Sequence, residues 1–487
     1  MKKRLILATL LMGTIFSQSV LAAEPVELNI EDAVYRAFST NASVKIAGYN
    51  LDAARAEMNA ARMERGITIS GNHSTNRGGY KHDQYIGGVY TKRLNTTHSN
   101  GLTVSLPIYT GGALSGNMIA KKAGYQQALM GKQKAYNDMH YTVTEAYYDC
   151  LLAQDLEKVA QESVKTLSEH LKHVSDSYDV GVVAKVDVLR SEVELADAEQ
   201  NLIKAENGRK VSMHSLNKII GLPLDTELKL TDALKNTPYE YELDYCLDYA
   251  VVNRPDLEQA RQGFRAAKGG VRAARSGYMP QISIHASKEW TNGSTGEEKS
   301  GWPGNKDQTW GIGVTANWNI FDSGVTLSKI HAAEAKARAA KETWRDTKES
   351  VLLDVRNIYY GMTEAQQRIH TAEITVAKAQ EDYDIAKLRY ENGVGTNTDV
   401  LDAQVALTQA KTNHIQACYD FNMNKIALDN AIGIPFKSPL EKETIVEVKL
   451  TENEKEALKA EKKAAKEAEK LAKERKKAEA KIEKADE

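Results

Sequence analysis

The sequence predicts a mixed α/β membrane protein built from a duplicated repeat, with four β-strands and long coiled-coil helices in each chain. Three observations carry that prediction. The chain repeats itself at a spacing of 212 residues. A heptad stripe of small and apolar residues runs without a miss from Val351 to Tyr390. Between the helical regions lie segments of strict apolar/polar alternation, in a chain that has no long apolar run after its N-terminal leader.

The repeat is direct. Ser177-Tyr178-Asp179-Val180-Gly181-Val182, continuing through Asp187-Val188-Leu189 to Leu195, returns as Arg389-Tyr390-Glu391-Asn392-Gly393-Val394, through Asp399-Val400-Leu401 to Leu407. The same offset joins Ile108-Tyr109 to Ile320-Phe321, Gly112 to Gly324, and Gly221-Leu222-Pro223 to Gly433-Ile434-Pro435. Upstream the offset is 213, pairing Ala60-Ala61-Arg62 with Ala273-Ala274-Arg275. A period this long is a duplicated half-protein, not a solenoid module. The expected organisation is a signal peptide over 1–23, a first repeat over 24–240 and a second over 241–440. A short segment and a Lys/Glu/Ala-rich tail follow over 441–487.

Met1-Lys2-Lys3-Arg4, the apolar run Leu5 to Phe16 and the small residues around Ala22-Ala23 have the pattern of a secretory leader, too short for a membrane span. With no other long apolar run, a membrane can be crossed only by β-strands. The three cysteines, Cys150, Cys246 and Cys418, have no metal or disulfide spacing. A net charge of −2 gives no reason to expect nucleic acid. There is no phosphate-binding Gly-rich loop, no His-Glu-x-x-His and no other catalytic constellation, so no enzyme, cofactor or metal site is expected.

The stripe of the second half (Val351, Val355, Ile358, Met362, Ala365, Ile369, Ala372, Val376, Ala379, Tyr383, Ala386, Tyr390) has its counterpart from Met139 to Tyr178, where Glu157 alone breaks it. A sustained seven-residue period specifies coiled-coil packing. The expected helices, about 113–177 and 325–389, are each roughly 95–100 Å long at the helical rise. Each ends in a Gly-containing turn, followed by a return helix, about 185–219 and 398–432, closed by Gly-x-Pro. A further helix is expected at about 43–65 and 256–275.

The strand signal is period two. Trp310, Ile312, Val314, Ala316, Trp318 and Ile320 alternate with small or polar residues, as do Leu102, Val104, Leu106 and Ile108. Ile67–Ser70 and Ile282–His285 are the expected partners, with loops near 75–99 and 291–308. Taken alone, these fit either a soluble hairpin or membrane strands. Four strands cannot close a membrane barrel, whose smallest members use about eight, so the leader, strands and long helices together favour a barrel shared among chains. Trp310, Trp318 and Phe321 fit either an interfacial girdle or ordinary strand packing.

The order helix, strand, strand, long helix, Val-Gly-Val turn, helix, Gly-x-Pro, all duplicated over roughly residues 25–440, resembles the TolC-type outer membrane efflux proteins (outer membrane factors). The specific parts are Tyr178-Asp179-Val180-Gly181-Val182-Val183-Ala184 with Asp187-Val188, Gly393 with Thr398-Asp399-Val400-Leu401-Asp402, and Arg254-Pro255-Asp256-Leu257; the first-half counterpart, Asn41-Ala42-Ser43-Val44, lacks the proline. The resemblance implies a homotrimer: a twelve-stranded barrel in contact with outer membrane lipid and an α-helical tunnel in the periplasm. It implies a passive exit duct of a tripartite efflux or type I secretion system, docking a periplasmic adaptor (membrane fusion) protein and an inner-membrane efflux pump or ABC exporter. The alternative is a structural periplasmic spacer tethering the outer membrane to the cell wall.

The resemblance also places residues. Gly181-Val182 and Gly393-Val394 fall at the periplasmic tips where adaptors dock; the simpler reading is that antiparallel helices need a turn with positive φ. Asp399 and Asp402 match the family's pore constriction; spaced i, i+3, they can share one helix face. Asp399 also sits where an acid caps a helix, like Asp187 in the first half, whereas the first-half counterpart of Asp402 is Arg190. The family's tip arginine is replaced by Gly395, while its partners Asp187 and Tyr390 remain, leaving Lys185 or Arg190 as substitutes in gating contacts. His170 and His173 are expected to be a surface pair, and Cys150 a packed small residue on the stripe. Residues 444–448 have the pattern of a short equatorial strand, and the tail that of a solvated helix or disordered extension.

Overall fold

The computed structural model describes residues 26–81, 92–234, 236–239, 241–295 and 307–437. All belong to the first of two units into which the chain divides at Ser438/Pro439. The leader, the 444–448 segment and the tail lie outside the described residues.

The first half runs β1 (Val26–Leu28), α1 (Ile30–Thr40), α2 (Ala42–Met63), β2 (Thr68–Lys81), β3 (Lys92–Tyr109), α3 (Ala113–Asp179), α4 (Lys185–Ile220) and β4 (Leu228–Leu230). The second runs α5 (Leu243–Asn253), α6 (Pro255–Arg275), β5 (Gln281–Thr295), β6 (Asp307–Asn317), α7 (Val325–Glu391) and α8 (Asn397–Ile432). The long helices α3 and α7 have 67 residues each, and the return helices α4 and α8 have 36 each. Both ends of each keep the 212-residue offset, so the duplication extends to helix length. At the helical rise α3 and α7 are each about 100 Å long.

The heptad stripe is the buried seam. Val351, Val355, Met362, Ala365, Ile369, Tyr383 and Ala386 are buried, as are Met139, Val143, Ala146, Cys150, Leu167 and Val174. Glu157 breaks the stripe because it faces Arg209 of α4, Nε to Oε2 at 2.5 Å, as an ion pair without hydrogen-bond alignment. Cys150 is fully buried, and burial pushes its thiol up to about 11.

Strands β2, β3, β5 and β6 form one antiparallel sheet in the order β2-β3-β5-β6. The hairpin β2–β3 pairs from Thr68↔Ser105 to Lys81↔Lys92, and β5–β6 from Gln281↔Asn317 to Thr291↔Asp307. The strands are therefore longer than their apolar cores suggest. Much of 75–99, expected as loop, continues the ladder, because the partner strand supplies hydrogen bonds to residues whose own pattern carries no apolar alternation. Val104, Ala286, Ile312 and Ile69 stand on one face, with Ile312 and Ile69 about 74% and 67% exposed. Ser105, His285, Gly313 and Thr68 occupy the other. Trp310, Trp318 and Phe321 are exposed in the single chain, and Trp318 Nε1 donates to the Tyr278 carbonyl oxygen at 3.2 Å. No described helix is long and apolar enough to cross a membrane.

Two features escaped the sequence reading. A parallel pair, Val26↔Leu228 to Leu28↔Leu230, ties the start of the first half to its end. The short helices α1 and α5 plug the equator, where Phe38, Tyr147, Leu216 and Ile220 form one core and Cys246, Val355, Phe421 and Leu428 the matching one. The halves meet most closely where α3 crosses α6: a Cβ added to Gly116 lies 2.6 Å from the Gly269 carbonyl oxygen, so the backbones touch.

Candidate functional site: the helical tips

Two turns close the helical pairs far from the sheet. In the first, Gly181 adopts φ +80°, its N–H donating to the Tyr178 carbonyl at 2.8 Å and that of Val182 to Ser177 at 2.9 Å. In the second, Gly393 adopts φ +74°, with matching bonds from Gly393 to Tyr390 at 3.0 Å and from Val394 to Arg389 at 2.9 Å. No atom lies within 4 Å of a Cβ added at Gly181 or Gly393, so the dihedral alone calls for glycine there. Val182 and Val394 are about 77% and 67% exposed, apolar knobs on the outside of each turn.

The turns differ in how they start the return helix. Ala184 gives α4 no side-chain cap. Thr396 gives α8 a capping box: its hydroxyl accepts from the Asp399 N–H at 3.2 Å, and Asp399 Oδ2 accepts from the Thr396 N–H at 3.0 Å. Those bonds hold the Asp399 carboxyl below its usual range. Val400 packs with Tyr383 and Ala386, and Leu401 with Leu167 and Ala198. Asp399 and Asp402 are thereby left on the open side, both exposed.

The halves are joined at the tip by Asn397, a buried residue that the sequence reading passed over. Its Nδ2 donates to the Asp187 carbonyl oxygen at 3.0 Å and to Ser191 Oγ at 3.1 Å, and its Oδ1 accepts from His170 Nε2 at 2.7 Å. An amide oxygen only accepts, so Nε2 carries the proton. His170 is therefore no surface residue: it is part-buried 5.3 Å from the Tyr390 ring, and burial lowers its pKa. His173 remains exposed. Arg190 Nη1 donates to Thr398 Oγ1 at 2.6 Å, a second bond between the halves. The Tyr390 hydroxyl is buried with no hydrogen-bond partner among the described residues, and burial, with the Asp187 charge second, raises its pKa. The signal for Asn397 was available: its counterpart is Lys185 and that of Thr396 is Ala184, so the halves disagree at both positions.

The same antiparallel contact continues up α8. Thr408 donates to Ser163 Oγ at 3.4 Å, Lys411 to Glu162 at 2.8 Å, and Tyr419 to Asp149 at 2.5 Å. No described group of three or more His, Cys, Asp or Glu is placed to hold a metal ion.

Residues 33–222 and 246–434, one span in each half, match the outer membrane efflux protein family. The chain belongs to the outer membrane efflux protein family. It is a channel protein of the outer membrane, with its helical part in the periplasm. It is 24% identical over 358 residues to the alkaline protease secretion protein AprF of Pseudomonas aeruginosa, covering 72% of this chain and 70% of AprF. It is 24% identical over 294 residues to the outer membrane protein TolC of Escherichia coli, covering 59% of this chain and 60% of TolC. Among solved structures, the CmeC outer membrane channel of Campylobacter jejuni superposes with a TM-score of 0.74 at 16% identity, over 85% of this chain and 87% of CmeC. In this efflux protein both tip turns fall within the matched spans, Gly181 in the first and Gly393 in the second.

Proposed function

We propose that three copies of this chain close a twelve-stranded barrel and a helical tunnel, and that the assembly is the passive exit duct of a tripartite efflux or type I secretion system. The observation that carries this reading is the sheet. It has four strands, an exposed apolar face, and β2 and β6 each with a single neighbour among the described residues. An open edge presents unpaired N–H and C=O groups, which no membrane-spanning sheet can leave toward lipid. Pairing β6 of one copy with β2 of the next removes both edges, and three copies exceed the roughly eight strands a barrel needs.

The tips are the docking end in this reading. Gly181-Val182 and Gly393-Val394 meet a periplasmic adaptor, and the energy comes from an inner-membrane pump or ABC exporter. Asp399 and Asp402, on the open side of α8, line the constriction. The closed state is held without an arginine at position 395 by the Asn397 cluster and by Arg190 on Thr398; Asp187 contributes its backbone carbonyl and Tyr390 its ring.

Planar-bilayer recording of the purified assembly tests the duct against a spacer that only tethers the outer membrane to the cell wall. A duct gives discrete conductance steps from a particle with the mass of three chains. Silent bilayers from a properly inserted trimer would favour the tether.

A further inference from the structure

The strand register sorts the charged residues of the sheet by face. On the apolar face, the strand positions run Ile69, Gly71, His73, Thr75, Arg77 in β2 and Val104, Leu102, Asn100, His98, Thr96 in β3. They continue as Ala286, Lys288, Trp290 in β5 and Ile312, Trp310, Gln308 in β6. No described position on this face is an aspartate or glutamate. The strand carboxylate Glu289 stands on the opposite, polar face.

The cations are also sorted along the strands. The helix-proximal part of the face is apolar. Lys288 enters at the row of Leu102 and Trp310, its Nζ 5.2 Å from the centre of the Trp290 ring in the next row. Beyond it come His73 opposite Asn100, His98 opposite Thr75, and Arg77. Acceptors within this zone are engaged internally: Asn100 Oδ1 takes the His73 Nδ1 proton at 2.7 Å, and Thr75 Oγ1 lies 2.9 Å from His98 Nδ1. Arg77 and Lys288 are exposed.

Tryptophans beside cations at the end of an apolar band mark a membrane interface. This end is the one away from the periplasmic helices, so it meets the outer leaflet. We propose that this zone, which has no carboxylate at its described positions and runs from Lys288 at the edge of the apolar band to Arg77 six residues further along the ladder, binds the phosphate groups of a phosphate-bearing outer-leaflet lipid. Charge complementarity selects that occupant. Guanidinium and ammonium groups at a low-dielectric rim bind phosphate oxygens through charge-assisted hydrogen bonds, and among the described positions of this face no carboxylate competes for them. Placing Glu289 on the polar face avoids repulsion of the same headgroups. The proposal rests on the trimeric barrel above, which turns the apolar face outward.

The test uses the full-length protein, assembled in phosphatidylcholine nanodiscs and titrated with bis-phosphorylated lipid A or with the same lipid stripped of both phosphates. Retained lipid and oligomeric mass are read together by native mass spectrometry. The expected result is at least fivefold greater retention of the phosphorylated lipid by wild-type trimers. Arg77→Ser/Lys288→Ser is expected to abolish that preference, and Glu289→Gln, on the polar face, to leave it unchanged. Equal retention of the two lipids by the wild type overturns the lipid-binding zone without reference to any variant, as does a double-variant trimer that keeps the preference. A sample without trimers overturns the barrel, and the lipid-binding zone with it, and is distinguished by its mass.

Discussion

The Asn397 carboxamide donates to the Asp187 carbonyl oxygen at 3.0 Å, so the first turn of α8 is bonded to the first turn of α4, the helix 212 residues before it. Three hydrogen-bonding groups from two other helices converge on this one side chain, and it is buried. Such a group is costly to leave half-paired, because each orphaned partner keeps its desolvation cost.

Asn397→Ala is therefore expected to destabilise the tip by about 1–3 kcal/mol and to raise the open fraction of the channel. Differential scanning calorimetry and single-channel recording on the same preparation check both effects. A variant with wild-type melting and wild-type conductance removes Asn397 from the latch.

The two tip aspartates of α8, Asp399 and Asp402, separate by pH. Hydrogen bonds from Thr396 hold the Asp399 carboxyl below its ordinary value of 3.8. A lowered folded-state pKa stabilises above the unfolded value and is lost as pH falls through the folded one. Asp399→Asn should thus melt below wild type at neutral pH and converge with it in acid below the usual carboxylate range. Asp402 has no capping role, so Asp402→Ala should leave melting unchanged at either pH. If both line the pore, Asp399→Ala/Asp402→Ala weakens block by multivalent cations; unchanged block rules out a constriction here.

Gly393→Val keeps ample space but forces a β-branched residue to φ +74°. A strain of about 1–2 kcal/mol is expected, too little to undo two long helices, so trimers should persist in native gels. Chemical cross-linking to a periplasmic adaptor should fall. Loss of the trimer itself would assign the glycine to the turn alone.

Glu157 and Arg209 form an unequal pair, with side chains 12% and 32% exposed. Removing the more exposed partner strands the more buried charge. Arg209→Leu should cost about 2 kcal/mol, more than Glu157→Leu, while the double variant restores a continuous stripe and should match or exceed wild type. Urea unfolding of the four proteins closes the cycle; additive single effects would show that the pair is not coupled.

The helices were legible because their signal is local and repeated. Val351 to Tyr390 states its own period, and Gly181 and Gly393 mark the turns to the residue. The strand interiors at Leu102–Ile108 and Trp310–Ala316 were legible for the same reason. Their extensions were not: Thr75, Thr96 and Asn95 carry no apolar alternation, and only the partner strand's hydrogen bonds make them sheet. At the tip, Asp399 could be read as a cap from its place after Thr396. His170 looked like one more polar helix position, because nothing near it in sequence reveals that Asn397 arrives from 227 residues away.

By itself, then, the sequence determined the duplication, the equal lengths of the paired helices, the turn glycines and the two-faced strands, all set by periodicities and dihedral needs within a few residues. Only the tertiary structure decided which polar residues are buried. Asn397, His170 and Ser191 are unremarkable in their own helices, and become a connected cluster because α8 packs antiparallel against α3 and parallel beside α4. The Gly116–Gly269 contact and the β1–β4 pair arise in the same way. Desolvation and backbone approach depend on what comes from the other half of the chain, and that is a property of packing rather than of local pattern.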